Sequence, residues 1–266
     1  MIKPVRGIFL TAFACFGACG AMAQEPLEAR DFTGFWSPKN EQLPADEQMM
    51  GKLPENTVLL DDAGFVEFLP GDFGALEVKP EAKARALEWD PADELSLQKV
   101  CATPSVIYTM QGPFPFEVAQ TSQTLIFKLE YFDQTRVVYL DGRDHPPAQA
   151  PHSKLGHSIG WWEGDELVID TTHISSSTLT NNGLDHSNGV HFVERYKLSE
   201  DGRSLKGTQW FDDPATLNNS GVRYMEWSAR PGEYVGPYEC DPTFAVDYGQ
   251  VEKDEAANAA EFEVVE

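Results

Sequence analysis

Beyond residue 101 the chain alternates apolar and polar positions with a period of two, interrupted by short polar turns. The pattern predicts strands near 105–110, 115–121, 124–132, 135–141, 157–163, 166–173, 189–198, 203–212, 222–229 and 234–240. The turns Ser122-Gln123, Asp133-Gln134, Gly164-Asp165 and Asp201-Gly202 are short, so most sequential strands should pair as antiparallel hairpins. The expected fold is therefore all-β, an antiparallel up-and-down barrel over residues 101–245.

The rest of the chain is less regular. Residues 1–23 carry Lys3 and Arg6, an uncharged apolar run over 8–18, and Ala21-Met22-Ala23 before Gln24. That is the layout of a secretory signal peptide cleaved after Ala23. Cys19 preceded by Gly17 and Ala18 offers a lipoprotein site as the alternative. The run is too short to span a bilayer, and no later segment approaches ~18 apolar residues, so no membrane span is expected. Residues 24–100 read as an N-terminal strand at Phe32 to Trp36 and a wrapping segment of the same domain. That segment holds one short helix opening at Pro80 and ending before Pro91. Residues 246–266 turn to Ala, Glu and Asp and read as a disordered acidic tail.

Charge and cysteines narrow the setting. The chain has 20 basic against 43 acidic side chains, a net charge of −23, which repels nucleic acid and anionic membranes. Small molecules are the expected partners. With the signal removed only Cys101 and Cys240 are left, and in a periplasmic or secreted protein two such thiols read as a disulfide. Two unpaired buried thiols are the alternative.

Several motifs bear on chemistry. Gly156-His157-Ser158-Ile159-Gly160 fits the G-x-S-x-G elbow of esterases, but a loop precedes it and a hairpin follows, where an elbow needs strand then helix. The six histidines show no H-E-x-x-H or other zinc spacing, so no metal or other cofactor is assigned. A metal held by the histidine-rich middle is a third alternative. The Gly164-Asp165 turn fixes a register in which Glu163 faces Glu166, Trp161 faces Val168, Ile159 faces Asp170 and His157 faces Thr172. His157 and Asp170 are then diagonal neighbours on one face, and apolar Ile159, Trp161 and Val168 predict that this face points inward. An Asp beside a His would orient the imidazole as a general base. On the next strand Glu194 intrudes among Val190, Phe192, Tyr196 and Leu198. It would serve either as an acid of raised pKa or as half of an inward salt bridge to Arg136, Arg143 or Arg223. Tyr131, Trp161, Phe192, Tyr196 and Trp210 would line a pocket for a flat or hydrophobic molecule.

The stretches 31–36, 141–146, 156–171, His186-Ser187, 194–196 and Asp213-Pro214 resemble a large, poorly characterised family of exported bacterial proteins. Its mark here is Gly-His-Ser-Ile-Gly-Trp-Trp-Glu-Gly-Asp-Glu-Leu-Val-Ile-Asp-Thr, and the likeness covers residues 31–240. Trp161 departs from it, standing where the pattern more often has a basic residue. Gly34-Phe35-Trp36 also resembles the G-x-W opening of lipocalin-like barrels. The resemblance implies that His157, Asp170, His186 and Glu194 occupy motif positions. The expectation is a cofactor-independent lyase, isomerase or hydrolase for a small hydrophobic or polycyclic molecule, with His157 as base, Asp170 orienting it, and Glu194 or His186 as acid. A periplasmic carrier without chemistry is the alternative.

Overall fold

The structure is a computed structural model and describes residues 31–246 apart from 40, 42, 64, 65, 95, 98 and 244. The expected signal peptide, and the expected tail beyond Val246, lie outside the described residues. Among the described residues twelve strands and four short α-helices follow in order. The N-terminal part holds β1 (Gly34–Pro38), α1 (Glu47–Met50), β2 (Thr57–Leu59), α2 (Pro80–Leu87), α3 (Pro91–Glu94) and α4 (Val106–Gln111). Then come β3 (Phe116–Gln120), β4 (Thr124–Leu129), β5 (Gln134–Tyr139), β6 (His157–Glu163), β7 (Glu166–Thr172), β8 (Ser177–Thr180) and β9 (Leu184–His186). The last three strands are β10 (His191–Leu198), β11 (Ser204–Asp212) and β12 (Ser220–Ala229).

Nine of these strands close a barrel in the order β1-β3-β4-β5-β6-β7-β10-β11-β12, with β12 returning to β1. The neighbours run antiparallel with one exception: β5 and β6 are parallel, pairing Val138 with Ser158 and Tyr139 with Ile159. The barrel is thus mixed rather than purely up-and-down. A parallel pair needs a crossover, and residues 140–156 supply it. β2 adds to β12 in parallel, while β8 and β9 form a separate hairpin between β7 and β10.

Two of the expected strands are absent. In place of the strand expected at 105–110 the chain forms α4 (Val106–Gln111), despite β-branched and aromatic residues, because the segment packs into the core rather than extending along the sheet. Val106, Ile107 and Met110 are buried, and the Met110 carbonyl accepts from Gln209 Nε2 of β11 at 2.9 Å. Tertiary packing overrides the local preference. Residues 234–240 form no strand; they are held by Lys128 Nζ on the Val235 carbonyl and by the Asp133 carboxylate, which accepts from the Tyr238 and Glu239 amides. The Cys101–Cys240 disulfide forms, with Cα atoms 5.8 Å apart and a sequence separation of 139. A loop of that length corresponds to about 4–5 kcal/mol in the chain-entropy model.

The barrel interior is filled. Phe116, Phe127, Tyr196 and Trp227 pack in tilted and edge-on pairs with ring centroids 5.5 to 6.3 Å apart. Gly207 allows this packing, since a Cβ there would stand 2.9 Å from both Tyr196 and Trp227.

Candidate functional site

The hairpin of β6 and β7 has the expected register, residue for residue, but its faces are reversed. Ser158, Gly160, Leu167, Ile169 and Thr171 point into the barrel, whereas His157, Ile159, Trp161 and Asp170 lie on the outer face. The pattern misleads because β7 is covered on both sides. Val168 is buried although it faces outward, and Glu166 beside it is paired with Lys52 of the wrapping segment at 2.6 Å.

The crossover from β5 to β6 builds a site on that outer face. Asp141 and Arg143 pair at 2.6 Å and the guanidinium lies 3.7 Å over the Tyr139 ring, which ties the start of the loop to the end of β5. At its far end Gly156 adopts φ +64 with no room for a side chain, a Cβ being only 2.6 Å from the Thr172 carbonyl. Only glycine lets the chain enter β6 so close to β7, and the next residue is His157. His173 takes φ 57, a left-handed conformation uncommon for non-glycine residues and concentrated at functional sites. Its ring nitrogens contact Thr172 Oγ1 at 2.9 Å and the Pro147 carbonyl at 3.1 Å, and its ring lies 5.2 Å from that of His152.

At the centre is Asp170. Its Oδ1 is 2.9 Å from His191 Nε2 and 3.2 Å from His145 Nε2, and His145 Nδ1 is 3.0 Å from His157 Nδ1. An ionised carboxylate only accepts, so His145 Nε2–H donates to Asp170. In the neutral ring His145 Nδ1 then accepts, and His157 Nδ1–H donates to it. The chain of bonds ends on His157 Nε2, a lone pair without a hydrogen-bond partner among the described residues. Tyr139 stacks on the His157 ring at 5.4 Å, and Trp210 stands edge-on to His191 at 5.6 Å. Every histidine except His186 is in this region.

The electrostatics suit a neutral base beside an ionised carboxylate. Burial pushes the His157 pKa down, and His145, Arg143 and His173 lower it further. For Asp170 burial acts upward, but hydrogen bonds and charge from His191 and His145 outweigh it and hold the carboxyl below its ordinary value. The hydrogen bond to Asp170 raises His191, against the opposing effect of burial.

The other expected site residues are elsewhere. Glu194 points inward and is fully buried, with Oε2 on Arg136 Nη2 at 2.5 Å and Oε1 accepting from the Tyr196 hydroxyl at 2.6 Å. It is the inward salt bridge of the two readings. Phe192 and Tyr196 are core residues, and burial with the Glu194 charge drives the Tyr196 phenol well above its ordinary pKa. His186 is buried in β9, with Nε2 on the Ser105 hydroxyl at 2.8 Å and Nδ1 donating to the Ser187 carbonyl at 2.9 Å. Burial lowers its pKa. Ser158 is 2% exposed, and its hydroxyl is taken up by Arg136 Nε and Thr171 Oγ1, so the elbow has neither the context nor a free nucleophile. Trp161 is exposed on the outer face, and Tyr131 lies among Phe114, Phe132 and Tyr238.

Sequence reasoning missed His145, His191, Tyr139 and Arg143 as site residues. The available signal was the Asp141 to Pro146 stretch within the family-like pattern, which had no place in space until the crossover was known. Among the described residues no three His, Cys, Asp or Glu side chains are arranged to hold a metal ion. Neither a scan against protein-family models nor a search of curated proteins finds a match for the chain.

Proposed function

We propose that the protein is an exported, cofactor-independent acid-base enzyme, a lyase, isomerase or hydrolase, whose site is the outer-face chain Asp170–His145–His157. The observation that carries this reading is the open end of that chain. His157 lies on the outer face with Nε2 as a neutral acceptor, and its other nitrogen is oriented through His145 by a carboxylate. In the reaction His157 Nε2 takes a proton from a C–H, O–H or water at the substrate. The imidazolium is stabilised through the His145 bond to Asp170, and Nε2 returns the proton to the leaving or rearranged atom. Tyr139 with Arg143 over it beside His157, and Trp210 beside His191, supply flat surfaces suited to a small aromatic or polycyclic substrate. Export rests on the N-terminal signal pattern. The disulfide and the absence of any helix long and apolar enough to cross a membrane among the described residues are compatible with it.

A carrier of the lipocalin kind is the second reading. The site for such a ligand would be the interior, where Phe127, Phe192, Tyr196 and Trp227 are each no more than 1% exposed. That filling favours the outer face. The test is a screen of aromatic esters, carbonyl compounds and β-substituted compounds for turnover. The expected result is activity that falls roughly 10² to 10⁴-fold in His157→Ala and Asp170→Asn and survives in Ser158→Ala. Undiminished turnover in His157→Ala would overturn the proposal.

A further inference from the structure

At the other end of β5 from Tyr139, residues outside the histidine cluster line a cavity of ≈ 160 Å³, among them Glu67, Tyr108, Gln111, Phe114 and Tyr131. We infer that this cavity is a second, independent site, for a small organic ammonium ion. The volume is close to the ~150 Å³ of a cavity that holds benzene, so the occupant is one headgroup or one ring.

Aromatic faces and a carboxylate are the means by which proteins hold alkylated ammonium groups. Phe114 and Tyr131 stack at 4.4 Å, and Tyr108 is tilted 6.5 Å from Tyr131. Glu67 is the only charged residue among the described residues of the lining. Two further charges that act on Tyr108, Arg223 and Asp62, cancel one another in a bidentate pair with both bonds at 2.7 Å. The local field is therefore negative, as is that of the whole chain at −23, and both disfavour an anion. The rings stay neutral phenols: burial first and Glu67 second push Tyr108 up to about 12, and burial and the neighbouring phenols push Tyr131 higher still. Gln111, itself 5% exposed, has a side-chain oxygen without a hydrogen-bond partner among the described residues.

The experiment compares choline with its neutral isostere 3,3-dimethylbutan-1-ol, followed through tyrosine ring resonances of the mature protein at low ionic strength. Choline should shift Tyr108 and Tyr131 saturably and bind roughly tenfold tighter than the alcohol. Glu67 is exposed, so Glu67→Gln should fold normally and weaken choline several-fold. Tyr131→Leu, checked for folding by circular dichroism, should abolish binding. His157→Ala should bind choline as the wild type does, which separates this site from the acid-base site. Equal binding of the alcohol, undiminished choline binding in Glu67→Gln, or no saturation at about 10 mM would overturn the inference.

Discussion

The two faces of the β6-β7-β10 sheet each carry a carboxylate tied into a hydrogen-bonded chain, and the two chains end differently. Inside, both oxygens of Glu194 are committed, one to Arg136 and one to Tyr196, and Arg136 goes on to Ser158 and Thr171. The Ser158 and Thr171 hydroxyls bond to each other and close that chain in the core, with Arg136 Nη1 alone left without a partner among the described residues. Outside, Asp170 retains 22% side-chain exposure and its chain runs through His145 to a His157 nitrogen that has no hydrogen-bond partner among the described residues. A titratable group amid apolar neighbours is therefore a weak guide to chemistry, since the same pattern serves as a brace. The informative feature is where the chain of bonds ends.

The comparison is broken most directly by removing each carboxylate or base in turn and measuring urea unfolding. Glu194→Ala leaves the Arg136 guanidinium buried and unpaired, and should cost about 3–5 kcal/mol. Replacing both partners by apolar residues of similar volume should recover much of that loss, because the desolvation penalty of the pair disappears with it. His157→Ala should cost less than about 1 kcal/mol, since a half-open site gives up little when trimmed. Equal losses at the two positions would show that the outer chain is a brace as well.

Ser158 sharpens the contrast because it neighbours His157 in sequence and faces the other way. Ser158→Ala removes the hydroxyl that partners Arg136 Nε and Thr171 Oγ1. It should lower stability by about 1–2 kcal/mol while leaving the His157 titration unchanged. A Ser158→Ala protein of full stability and altered His157 pKa would contradict the assignment of faces.

These faces could be read from sequence only in part, and the reason is physical. The turn at Gly164-Asp165 determined the partner of every residue from His157 to Glu163, because a two-residue turn leaves no freedom of register. It did not determine which face is inside. That depends on what covers the outside, and Lys52 with its neighbours covers Glu166 from more than 100 residues away in sequence. Residues 105–110 depart from the strand pattern for a similar reason, since a distant partner in β11 favours a helix there. The parallel step between β5 and β6 was not legible either, since hairpin logic treats residues 140–156 as a loop rather than a crossover. His157 and Asp170 were legible as neighbours, but His145, which joins them, arrives through that crossover. The cysteine pair needed no geometry, because compartment and count sufficed.

The smallest expected effect lies in the pH dependence, and it tests the charge state on which the outer chain depends. His191 is raised by Asp170, so its folded pKa exceeds its unfolded one. Its contribution to stability is full below the unfolded value of about 6.5 and is lost as pH rises through the folded pKa. His157 is lowered, so its contribution has the opposite sign. It is full above about pH 6.5 and shrinks as pH falls towards the folded pKa, where the unfolded chain binds the proton first. Asp170→Asn keeps the shape and removes the charge. His191 should then titrate lower by NMR and its extra stability near pH 6 should disappear, by less than about 1 kcal/mol because the pair is partly solvated. His157 should titrate lower too, since its imidazolium no longer reaches a carboxylate through His145. If His157 titrates unchanged in Asp170→Asn while His191 falls, the carboxylate holds His191 alone, and the relay from Asp170 to His157 does not exist.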